Sequence, residues 1–210
     1  MIRGLAAAGC PIVEVAEPAA VGIGEDHSEQ ARFRDLHERL LDGLVGTGPD
    51  TLLTHLSLAI TGGAADAAGP ATILGPGYAS LAVDLIAGPD NWRLVRTAPG
   101  DRGIVCGALS AAEGSDDGPE TLLWAAAYAA GSAGRGPARV GLATASSLAA
   151  LSWPVAVAKL TRLGEAVRLA ALPQDERLAA LDPRAVDSRS AALGRYEPAG
   201  VRRPRRRSPD

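Results

Sequence analysis

Five short apolar runs, separated by stretches of helical pattern, limit what this chain can fold into more than any other feature. They are Pro11 to Ala16, Leu52 to Ala59, Ser80 to Ile86, Gly103 to Leu109 and Arg139 to Thr144. None alternates cleanly between apolar and polar residues. A brief, continuous apolar run is what a strand covered on both faces requires, as in parallel sheets. The runs end in small or polar residues: Glu17-Pro18, Ser57, Asp84, Ser110 and Ser146-Ser147.

Between them lie three clear helical patterns. Ser28 to Leu44 carries Phe33, Leu36, Leu40, Leu41 and Leu44 on one face, with Ser28 as the expected N-cap. Pro119 to Ala130 is the second, with Pro119 suited to a first turn. Pro154 to Ala171 is the third, with Val155, Leu160, Leu163, Val167 and Leu169 expected inside and Lys159, Arg162, Glu165 and Arg168 outside. Asp66 to Tyr78 reads mostly as loop, and Asp90 to Thr97 as one short helix. Alternating strand and helix implies right-handed crossovers and a parallel sheet, hence an α/β fold with about five parallel strands and outer helices. A barrel and an open doubly wound sheet both satisfy that order.

Composition excludes several classes. Hydrophobic residues make up 47% of the 210, enough for a core and too many for a disordered chain. A net charge of -3 gives no reason to expect nucleic acid. No apolar stretch approaches the about 20 residues of a membrane helix, and Met1-Ile2-Arg3 does not open a signal peptide, so no membrane is expected and a cytoplasmic location is. Cys10 and Cys106 have no metal or redox spacing and read as free thiols. Residues 1–172 form the expected barrel-like domain, 173–196 a helical extension, and 197–210, with Arg202, Arg203, Arg205, Arg206 and Arg207, a solvated basic tail.

The strand ends carry a resemblance. Glu14-Val15-Ala16-Glu17-Pro18-Ala19, Thr54-His55-Leu56-Ser57, Ala82-Val83-Asp84 and Ala143-Thr144-Ala145-Ser146-Ser147 follow one another in the order and spacing of the catalytic barrel of cobalamin-independent methionine synthases. The resemblance runs from about Gly9 to about Ala171. It implies a partial (β/α)8 barrel of the triosephosphate isomerase type, with three further strands preceding Met1. A partner chain or a second copy would then supply them.

The resemblance also implies methyl transfer to a thiol such as homocysteine, with a folate as donor and no cobalamin. In that family zinc lowers the pKa of the acceptor thiol. Carried over residue by residue, His55 and Asp84 are the remaining metal ligands. Asp84 stands for a glutamate, Ser57 and Ser146 for cysteines, and Glu17 is the nearby acid on the active face. A neutral, hard serine hydroxyl replaces a thiolate poorly, so zinc binding is expected to be weak.

Other groups have plainer expectations. Asp116 and Asp117, beside Glu113 and Glu120, read as helix caps rather than a cation site. Gly22-Ile23-Gly24 lacks the rest of a phosphate loop. His27 and His37 read as surface residues, and Trp92, Trp124 and Trp153 as dispersed packing residues.

Overall fold

The computed structural model describes residues 1–44, 54–115 and 118–180. Five strands, β1 (Ile12–Ala16), β2 (His55–Ile60), β3 (Ser80–Asp84), β4 (Gly103–Leu109) and β5 (Val140–Thr144), form one sheet. All neighbours are parallel and the order is β1-β2-β3-β4-β5. This strictly sequential order separates the two architectures left open by the sequence. With right-handed crossovers it places every connecting helix on the same face, as in a barrel, whereas a doubly wound sheet reverses its order and is covered on both faces.

Seven helices are described: α1 (Ile2–Ala7), α2 (His27–Leu41), α3 (Pro70–Ile73), α4 (Trp92–Thr97), α5 (Pro119–Gly131), α6 (Trp153–Ala170) and α7 (Gln174–Ala180). The core lies between them and the sheet. Leu56, Leu58 and Ile60 of β2, Leu81 and Val83 of β3, and Ile104, Cys106 and Ala108 of β4 alternate outward to meet Phe33, Leu94, Val95, Leu122 and Ala125 from the helices. Each Leu, Ile or Val so enclosed contributes about 2 kcal/mol.

The opposite, inner face is built of small residues. One row across the sheet reads Ala16, Ala59, Ala82, Val105, Gly141, and the row before it Glu14, Ser57, Ser80, Gly103. Gly107 belongs to this face at the bulge between β4 and β5, where a Cβ would lie 2.6 Å from the Val83 carbonyl oxygen.

The helical patterns hold with corrected details. The cap of α2 is Asp26, not Ser28: its Oδ1 accepts from the amides of Ser28 at 2.8 Å and Glu29 at 3.2 Å. The stretch expected to be mostly loop holds the 3-10 turn Asp66–Ala68 and α3. In α6 the expected faces hold in part: Leu163 packs against the core, and Val155 and Leu169 are half-buried. Lys159 is buried, while Leu160 and Val167 are exposed. The inward residues Ala156 and Ala166 are small, so the helix sits close, and the aliphatic stem of Lys159 fills the gap while its ammonium finds oxygens. Leu52 and Leu53, Asp116 and Asp117, and the segment after Ala180 with its basic tail lie outside the described residues.

Candidate functional site

The sequence placed Glu17, His55, Ser57, Asp84 and Ser146 around one site. The strands distribute them differently. His55 is the first residue of β2, and Asp84 is the last of β3. Ser57 stands opposite Ser80. His55 therefore lies six residues before the level of Asp84, about 20 Å along parallel strands rising about 3.3 Å per residue. The Thr-His-Leu-Ser segment opens its strand; the apolar run carries β2 on to Ile60, and Gly62, at φ +89°, marks the true end.

Asp84 is buried and hydrogen-bonded through both oxygens. Its Oδ1 accepts from the amides of Ile86 at 2.9 Å and Ala87 at 2.8 Å, and its Oδ2 accepts from the Gly62 amide at 3.1 Å. Beside it, buried Asn91 donates to the carbonyls of Gly63 and Asp84 at 2.9 and 2.8 Å, and accepts from the amides of Ala65 and Asp66. Arg93 closes the group with a 2.7 Å ion pair to Asp66. Together these side chains tie the loop after β2 to the loop after β3. The sequence did not single out Asn91, although the Gly88-Pro89-Asp90-Asn91 turn marks where such a residue would sit.

At the other end, His55 Nε2 lies 2.8 Å from Ser80 Oγ. Both line a cavity of about 510 Å³ with Asp101, Gly103, Arg139 and Gly141, at the N-terminal mouth of the strands. Ser57, one row further in, is buried and its Oγ has no hydrogen-bond partner. Ser146 follows β5, at the Asp84 end of the sheet, and is half-buried.

Glu17 turns outward. It lines a groove of about 440 Å³ between β1 and α2, together with Phe33, Leu36 and His37. His37 is not a surface residue. It is buried, its Nδ1 is 2.8 Å from Tyr78 Oη, and its ring packs 4.2 Å from that of Phe33. Burial holds its pKa below the usual imidazole range, with Glu17 pulling the other way. Burial, seconded by Glu17, pushes Tyr78 up to about 12, so it stays a phenol at neutral pH. The sequence did carry a signal for His37: with Phe33 and Leu41 it follows the four-residue spacing of the buried face. Trp92 and Trp124 also meet, in an aromatic cluster with Tyr128 on α4 and α5.

Among the described residues no group of three or more His, Cys, Asp or Glu side chains is placed to hold a metal ion. Cys10 and Cys106 are free. Also among them, no helix is long and apolar enough to cross a membrane.

No protein-family model matches this sequence, and no curated protein does. A solved structure does: a B12-independent methionine synthase from Shewanella sp. W3-18-1 in complex with selenomethionine, at 16% identity and a TM-score of 0.61. The two share a fold. The match covers 86% of this chain and 53% of the methionine synthase, so the chain spans about half the length of that protein. At this identity the likeness speaks for the α/β barrel architecture alone.

Proposed function

We propose that this chain is a metal-independent, non-catalytic relative of the methionine synthase barrel, acting as a scaffold or binding subunit. The observation that carries this reading is the state of Asp84. Its two oxygens accept three backbone amides, which leaves the carboxylate committed to loop structure. The rest of the implied ligand set does not fit zinc either. His55 sits at the far end of its strand, Ser57 and Ser146 offer hydroxyls where soft thiolates would be needed, and Glu17 faces α2. Methyl transfer to homocysteine from a methylfolate is what the resemblance implies. It would require a sulfur-activating centre, and these five residues do not converge to form one.

The test is the zinc content and affinity of the purified chain beside a Ser57→Cys/Ser146→Cys double variant. The expected result is sub-stoichiometric zinc in both, because restoring the thiols leaves them at the wrong levels of the sheet. One tightly held zinc per native chain, with methyl transfer from methylfolate to homocysteine, would overturn the proposal.

A further inference from the structure

The cavity of about 510 Å³ at the N-terminal mouth is lined from β2 to β5 and by the turns that lead into them. Its polar side chains are His55, Ser80, Asp101 and Arg139. His55 Nε2 and Ser80 Oγ are 2.8 Å apart, so one proton lies between them. Whichever partner supplies it, a donor is left over. If Ser80 donates, the imidazole proton sits on Nδ1. If His55 donates, the Ser80 hydroxyl proton is uncommitted.

Arg139 adds a guanidinium fork. It is exposed and, among the described residues, its side chain makes no ion pair or hydrogen bond. Asp101 is the one lining group of opposite sign, and it has a cation of its own. Burial holds the pKa of neighbouring Arg102 below the usual guanidinium range, with Asp101 pulling the other way. Arg139 is therefore left to a ligand. The cavity thus presents more donors than acceptors, and its free charge is positive.

The floor is kept open by two glycines. A Cβ at Gly103 would lie 2.9 Å from that of Ser80, and one at Gly141 would lie 3.2 Å from Val105 Cγ2. Beneath the His55–Ser80 pair, Ser57 stands opposite Ser80 on the same face of the sheet, buried and with its Oγ unpartnered. It is the neighbour to which the Ser80 hydroxyl can turn when an anion takes its place on His55. A bare anion would fill little of this volume, and Val105, Gly103 and Gly141 offer a surface for a carbon skeleton.

We propose that this cavity binds the oxyanion group of a small organic molecule, a carboxylate or a phosphate, with Arg139, His55 and Ser80 as donors. The proposal gives the binding-subunit reading a ligand class, and it rests on that reading in requiring His55 to be free of zinc. The experiment is calorimetric titration of the full chain, first passed over a chelating resin, with benzoate and with phenyl phosphate. At least one should bind with a Kd of about 1 mM or tighter. Whichever binds more tightly assigns the oxyanion. Arg139→Gln and Ser80→Ala should each weaken binding at least about tenfold, since each removes a donor to a charged group. Both should melt as the parent does. Arg168→Gln, which removes an exposed cation on α6, should bind as the parent does. No binding of either probe up to about 20 mM, parental affinity in Arg139→Gln or Ser80→Ala, or equal weakening by Arg168→Gln would overturn the proposal. Such a failure in a zinc-free chain leaves the metal-independent reading intact. One zinc per chain that the resin does not remove overturns that reading, and this proposal with it.

Discussion

Lys159 Nζ donates at 2.8 Å to the Ser110 carbonyl and at 2.8 Å to Ser115 Oγ, which clasps α6 onto the segment that follows β4. A buried ammonium held by oxygens alone is stable only while both acceptors stay in place. Lys159→Met keeps the apolar stem and deletes the donor, leaving the Ser110 carbonyl without that partner. The expected cost is about 2 kcal/mol in urea unfolding, with faster proteolysis between Ser110 and Ser115. A variant as stable as the parent, with an equally resistant segment, would show that the clasp contributes nothing.

Asp84 gives the second prediction. Three loop amides lose their acceptor in Asp84→Ala, and charge-assisted hydrogen bonds are the stronger kind, so a loss of about 2 kcal/mol is expected. Asp84→Asn should lie between, since one oxygen becomes an amino group facing a donor. Added zinc should change the stability of neither the parent nor these variants. A zinc-dependent rise in melting temperature that Asp84→Ala abolishes would return Asp84 to the role of ligand.

Those residues also show how far the sequence could be read. β4 is legible to the residue, from Gly103 to Leu109, because its apolar run is bounded at both ends by residues that stop it. The sequential topology follows from strand-helix alternation. What the sequence misplaces is depth along β2. A short Thr-His-x-Ser match places His55 near the C-terminal end of its strand, whereas continued burial of Leu58, Ala59 and Ile60 pulls the strand on. Likewise α6 has apolar residues over so wide an arc that periodicity does not tell which part meets the core. Close packing decides it: the small residues Ala156 and Ala166, with Leu163 and the stem of Lys159, take the inward side. The burial of Asp84 was out of reach, since its partners are backbone amides of two loops.

His37 sets a pH dependence. Its folded-state pKa lies below the ordinary imidazole value of about 6.5, chiefly through burial. The unfolded chain therefore takes up a proton before the folded one does. The stability this group contributes is fully present above pH of about 6.5 and is lost as pH falls from there through the folded pKa. The melting temperature should drop across this window, and His37→Phe, which cannot titrate, should flatten that part of the profile. Glu17→Gln should deepen the drop slightly, because it removes the charge that favours the imidazolium. A profile for His37→Phe that parallels the parent would exclude His37 as the source.

Arg135 gathers four carbonyls. Nε donates to Arg102 at 2.9 Å, Nη1 to Ala129 at 2.7 Å, and Nη2 to Val95 at 3.3 Å and Ala98 at 3.0 Å. These oxygens lie at or just beyond the ends of α4 and α5, where helical carbonyls lack partners of their own, so one planar fork caps both helices. The loop that delivers it holds Ala133 at φ +52°, between Ser132 and Gly134. Lysine has one nitrogen and no fork, so Arg135→Lys should cost about 3 kcal/mol despite keeping the charge, and Arg135→Ala more, as the carbonyls are left buried and unpaired. Hydrogen exchange should quicken in the last turns of α4 and α5 together, not in α2. Ala133→Gly relieves the left-handed backbone and should raise stability by about 1 kcal/mol. Exchange that quickens in only one helix, or an Arg135→Lys protein of parental stability, would mean that the fork does not join the two.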